Sequence, residues 1–119
     1  MMDNKEFGKQ MELRTRKYAV LIIKLSSSLP NSIEGKVLRN QLTKSGTSIG
    51  ANYREANRAR STKEFKSKIK ICESEANETI FWLEVISDME WTSKKILEYP
   101  LKEAGEFVAI FTSINNKLK

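Results

Sequence analysis

Leu38 to Leu83, LRNQLTKSGTSIGANYREANRARSTKEFKSKIKICESEANETIFWL, reads as two long antiparallel helices meeting at a turn near Arg60. In the first, Leu38, Leu42, Ser45, Ile49, Asn52 and Ala56 recur at helical spacing, so bulky residues give way to small and polar ones halfway along. Gly46 and Gly50 inside that helix each cost about 1 kcal/mol relative to alanine. Close approach of a neighbouring helix is the simplest compensation, and a kink or a ligand-facing concavity is the alternative. Ser61 with Glu64 three residues on forms a capping box, so the turn is short and the two helices are neighbours. Ser45 then falls across from Ala76, and Ile49 across from Cys72. In this register Ser45, Ser48, Asn52, Glu75 and Glu78 are expected to form a polar seam between the two helices, with Lys44 nearby.

The inward face of the second helix is Phe65, Ile69, Cys72, Ala76, Thr79, Leu83 and Ile86. Beside it Ile71, Trp82, Val85 and Met89 make a second apolar strip, wider than one antiparallel partner covers. Upstream, a helix with Asp3 or Asn4 as N-cap is predicted to run to about Ser28, with Phe7, Met11, Tyr18, Leu21 and Leu25 on its buried face. Val20, Ile22 and Ile23 make this helix apolar nearly all round. Two readings are open: a helix touched on two sides within one subunit, or a subunit interface formed by Val20, Ile22 and Ile23 together with Ile71, Trp82, Val85 and Met89. Pro30 ends the first helix, and Asn31 with Glu34 reads as the capping box that opens the second. Downstream, Thr92 or Ser93 caps a turn before Pro100, and a last helix runs from about Leu101 to Lys117. Its stripe is Leu101, Ala104, Val108, Phe111 and Leu118, with Phe107, Ile110 and Ile114 beside it. Pro100 either begins that helix or kinks a longer one. The expectation is an all-α, up-and-down four-helix bundle forming a single domain over residues 1–119.

The chain has no histidine and one cysteine among its 119 residues, with a formal net charge of +6. Lack of histidine removes the commonest general base and metal ligand, and Cys72 falls on an apolar helix face. Glu73, Glu75 and Glu78 have no obvious partners to complete a metal shell, so no metal or cofactor is expected, and nothing resembles an activated nucleophile. The polar N-terminus and the short apolar runs lead to the expectation of a cytoplasmic protein that is neither secreted nor membrane-bound. Charge is concentrated in one place. Arg54, Arg58, Arg60, Lys63, Lys66, Lys68 and Lys70 crowd the turn, whereas Ile71 to Thr92 holds only acidic charge: Glu73, Glu75, Glu78, Glu84, Asp88 and Glu90. Such a bipolar helix can pair with the opposite end of a neighbouring subunit, dock on phosphates, or simply be a solvated face.

Three runs carry a resemblance: Gln41 to Ala56, with Ser-Gly-Thr-Ser-Ile-Gly-Ala-Asn at its centre; Ser61-Thr62-Lys63-Glu64-Phe65; and Glu75 to Leu83. They closely resemble the bacterial four-helix-bundle family named for 23S rRNA intervening sequences, also called the S23 ribosomal protein family. The last helix matches it only in length and pattern. The resemblance implies an up-and-down bundle assembled as a ring-shaped homopentamer, like the related accessory protein of diversity-generating retroelements, whose basic surface serves nucleic acid and reverse transcriptase binding. It carries over no catalytic residues. Together the residues and the resemblance lead to a non-enzymatic homo-oligomer that binds structured RNA or another nucleic acid through Arg54, Arg58, Arg60, Lys63, Lys66 and Lys70. The alternative is an oligomeric scaffold for a protein partner.

Overall fold

Three serines start three helices. The side chains of Ser32, Ser61 and Ser93 accept hydrogen bonds from the backbone N–H groups of Gly35 (3.0 Å), Glu64 (3.0 Å) and Ile96 (3.2 Å), satisfying donors that the first helical turn leaves open. In the computed structural model, which describes residues 4–118, the helices are α1 (Asn4–Ser27), α2 (Ile33–Asn57), α3 (Thr62–Asp88) and α4 (Lys94–Lys117). Asp3, one of the two N-caps expected for α1, lies outside the described residues. The chain runs up, down, up and down, with α2 against α1, α3 against α2 and α4 against α3. Among the described residues there is no strand, and no helix is long and apolar enough to cross a membrane.

Two boundaries differ from the sequence reading. Asn31 does not cap α2: its side chain instead accepts from Arg39 Nη1 at 3.2 Å, and the cap falls on Ser32. Gly35 explains the shift, because a Cβ there would collide with the carbonyl oxygen of Pro30, so the chain can fold back over its own turn only with glycine at that place. α4 starts at Lys94 rather than near Leu101, with Pro100 buried inside it. Proline removes an i→i−4 donor, and the buried Pro100 carbonyl accepts the Tyr18 hydroxyl at 2.8 Å. The earlier start sets the buried stripe of α4 at Leu97, Pro100, Ala104, Phe107 and Phe111, while Leu118 is exposed.

The inner face of α3 is as read, with Ile69, Cys72, Ala76, Thr79, Leu83 and Ile86 fully buried and Phe65 half-buried. Facing it, Leu42, Ser45, Ile49 and Ala56 are buried on α2. The glycines serve the other neighbour. A Cβ on Gly46 would lie 2.6 Å from Ile22 Cγ2, and one on Gly50 would lie 3.0 Å from Thr15 Oγ1, so both let α1 approach α2 closely. Ile22 is therefore a core residue with no exposure, not an interface residue, and Thr15, its hydroxyl bonded to the Met11 carbonyl at 2.8 Å, is buried beside it. Leu21, expected on the buried face, is half-buried.

α1 and α4 close the bundle through long side chains. Arg14 forks onto Glu103 (Nε to Oε2 2.7 Å, Nη2 to Oε1 2.6 Å), reaches Glu106 Oε1 at 2.8 Å, and lies 5.2 Å from the centroid of the Phe107 ring. Such a bidentate pair fixes both geometry and register. These two carboxylates hold the Arg14 guanidinium more firmly protonated than usual.

Candidate nucleic-acid interface

The up-down order gathers the C-terminal ends of α2 and α4 and the N-terminal ends of α1 and α3 at one end of the molecule. There the basic run of the sequence splits into paired and unpaired cations. Glu12 of α1 lies 3.5 Å from Arg54 and 3.8 Å from Arg58, and it also accepts from Asn57 Nδ2 at 2.9 Å. Lys68 meets Glu55 at 2.7 Å, which holds its ammonium more firmly protonated, and Lys70 meets Glu73 at 2.8 Å. Arg60, Lys63 and Lys66 have no carboxylate within ion-pair reach among the described residues. Of the six cations expected to touch nucleic acid, these three are the ones whose side chains meet no carboxylate, Arg60 and Lys63 exposed and Lys66 half-exposed. The sequence reading did not include Glu12: it lies more than 40 residues from the arginines, and only the antiparallel return of α2 brings it beneath them.

The expected polar seam is divided. Ser45 is buried, and Thr79 Oγ1 lies 2.9 Å from its hydroxyl across the α2–α3 contact, so Thr79 joins the seam as well as the core stripe. Ser48 and Asn52 turn back on their own helix, bonding the carbonyls of Lys44 (2.6 Å) and Ser48 (2.9 Å). Glu78 is exposed. Glu75 has a buried Oε2 with no hydrogen-bond partner; burial pushes its pKa above the usual carboxylate value, the Glu78 charge adds to this, and Lys44 opposes it. Two residues earlier, Glu73 points the other way. It accepts from Lys70 and from the Thr112 hydroxyl of α4, and these bonds hold its pKa below the usual value. The three acidic residues thus do not converge, and among the described residues no group of three potential ligands could hold a metal ion. Cys72 is buried, its Sγ lying 3.6 Å from the Ile49 carbonyl, and burial pushes its thiol up to about 12, far from the range of reactive thiolates.

Of the expected interface residues, Val20 and Ile23 on α1 and Ile71 and Met89 on α3 are exposed, and Trp82 and Val85 are half-buried. The indole Nε1 of Trp82 is buried without a partner. Trp82 and Glu75 are seven residues apart, two helical turns, and so share one face of α3 with Ile71, Val85 and Met89.

The family model for the 23S rRNA-intervening sequence protein matches residues 10–113 of the chain. Among solved structures, a protein of unknown function from the S23 ribosomal protein family of Bacteroides thetaiotaomicron VPI-5482 superposes with a TM-score of 0.82. It is 36% identical in sequence, and the match covers 87% of this chain and 96% of that one. No curated protein matches the chain.

Proposed function

The chain belongs to the 23S rRNA-intervening sequence protein family, and from that starting point we propose that it is a non-enzymatic, self-associating helical bundle whose basic end binds structured RNA through phosphate contacts. The observation that carries this reading is the trio Arg60, Lys63 and Lys66, gathered at one end with no ion pair to their side-chain charges among the described residues. Cations already paired to carboxylates must give up those partners to meet a phosphate, whereas these three need not. Arg54, Arg58 and Lys70 then form a second rank. Phosphate contacts fix register and orientation without reading sequence, so shape and charge dominate the preference.

Titration of a labelled structured RNA and an equally long duplex DNA, by anisotropy at several salt concentrations, tests this. Binding should weaken steeply with salt. Reversing Arg60, Lys63 and Lys66 to glutamate should flatten the log–log slope by about 2 to 3, near one unit per lost phosphate contact. A folded triple variant that binds as the parent does would sink the proposal.

Self-association, as the homopentamer that the resemblance implies or another closed ring, is supported by the exposed apolar residues of α1 and α3 and by the unpaired Glu75 and Trp82 atoms. The same face favours a second reading, an oligomeric scaffold for a protein partner. In that case RNA binding would be absent in the parent, and a charge set on the apolar face, as in Val85→Glu, would lose assembly or partner. The reading places the protein in the cytoplasm, where a lone cysteine stays reduced.

A further inference from the structure

The end that carries Arg60, Lys63 and Lys66 also opens into a cavity of about 580 Å³. Phe7 of α1, Tyr53 and Asn57 of α2, Phe65 of α3 and Ile114 and Lys117 of α4 line it, so all four helices contribute a wall. Tyr53 is buried, with its ring 5.8 Å from that of Phe111. Phe7 and Phe65 are half-exposed. Asn57 is tied to Glu12, which holds its amide at the wall.

We infer that this cavity receives one unpaired base of an RNA strand whose neighbouring phosphates lie on Arg60, Lys63 and Lys66; the inference rests on the nucleic-acid reading above. The volume is within the 300–1,000 Å³ usual for small-ligand sites, enough for a nucleoside. The half-exposed rings of Phe7 and Phe65 offer flat faces on which a base can stack, with the buried Tyr53 ring as the floor, and the amides of Asn57 and Asn4 bring donors and acceptors for a base edge. Lys117 places a cation in the wall itself. An apolar peptide side chain would use the rings and leave the cations idle, and a bare phosphate would use the cations and leave the rings idle. A nucleotide uses both. The bundle's basic end then discriminates loops and bulges from continuous duplex, which phosphate contacts alone do not do.

The test compares a hairpin RNA carrying 2-aminopurine in its unpaired loop with a fully paired RNA of equal length, and adds 2-aminopurine riboside, which has no phosphate. The parent should prefer the hairpin, and binding should quench the loop fluorophore as it stacks. Phe65→Leu keeps an apolar side chain but removes the ring; it should weaken hairpin binding about tenfold while leaving duplex binding unchanged. Phe7→Leu, on a different helix, serves the same purpose should the first variant fold poorly. Equal hairpin affinity and quenching in both folded variants would overturn the cavity while leaving the phosphate reading intact. Riboside binding that is lost in Phe65→Leu, from a parent whose RNA binding ignores salt and the Arg60, Lys63 and Lys66 reversals, would do the reverse. Riboside binding that appears only on dilution of the protein would mean that a second copy fills the cavity, and would also overturn the inference.

Discussion

The two edges of α3 are built from similar residues and end in opposite states. On the edge toward α4, Glu73 takes hydrogen bonds from Thr112 and Lys70, and Asn115 donates to the Lys66 carbonyl at 3.2 Å, with only the Asn115 Oδ1 left unpaired. On the edge toward α2, Glu75 Oε2 and Trp82 Nε1 are both buried without partners, beside exposed Ile71 and Met89. An unmet buried donor or acceptor costs about 1–3 kcal/mol. Native folds leave only a few such groups per 100 residues, and two of the three among the described residues fall on this face. The α4 edge thus meets most of its polar groups within one chain, whereas the α2 edge leaves Glu75 Oε2 and Trp82 Nε1 unmet, and on this difference the self-association proposed above rests.

The largest expected effect follows from that difference. Val85→Glu, which sets a charge in the middle of the α2 edge, should weaken self-association about 100-fold or more, close to 2.7 kcal/mol, whereas Asn77→Glu on the exposed side toward α4 should leave it unchanged. Sedimentation velocity over a concentration series reads both. Identical profiles for the two variants would erase the distinction between the edges. Next in size, Glu73→Ala should destabilise the fold by about 1–2 kcal/mol in denaturant unfolding, because Thr112 loses its acceptor at a half-buried site. Glu75→Gln should have the opposite sign, a gain of up to about 1 kcal/mol, since it replaces a poorly solvated carboxylate with a neutral amide. A loss there as large as at Glu73 would show that Glu75 has a partner after all.

How much of this was legible from the chain depends on whether one helix or two held the information. The inner stripe of α3 and the small-residue run of α2 are periodic within themselves, so the bundle and its order followed directly from them. Ile22 could not be placed that way. α1 is apolar nearly all round, and the choice of its buried side was made by the missing Cβ of Gly46 on another helix. Arg14 and Glu103 look like ordinary surface charges in their own segments and become a clamp only when α1 and α4 meet, 89 residues apart. The basic cluster was visible as composition. Its division into paired and unpaired cations was half visible: the Lys70 and Glu73 pair lies three residues apart on one helix, but Glu12 comes from across the bundle.

The smallest effect, and the sharpest comparison of the edges, is the dependence of stability on pH. Glu73 is held below the ordinary carboxylate value of 4.5, so above 4.5 its ionised form stabilises the fold, and that contribution is lost as pH falls through its folded pKa. Glu75 is held above 4.5, so the folded state keeps its proton where the unfolded chain has released it; the advantage is complete below 4.5 and disappears as pH rises through the folded pKa. From these two groups stability should climb toward 4.5 on the acid side and decline beyond it. Glu75→Gln should remove the decline and Glu73→Gln the climb, each leaving the other limb in place. Denaturant midpoints from about pH 3 to about pH 7, at one protein concentration, resolve the two limbs. If Glu75→Gln leaves the upper limb untouched, its carboxylate titrates as a solvated group, and the α2 edge loses its claim to be the unfinished one.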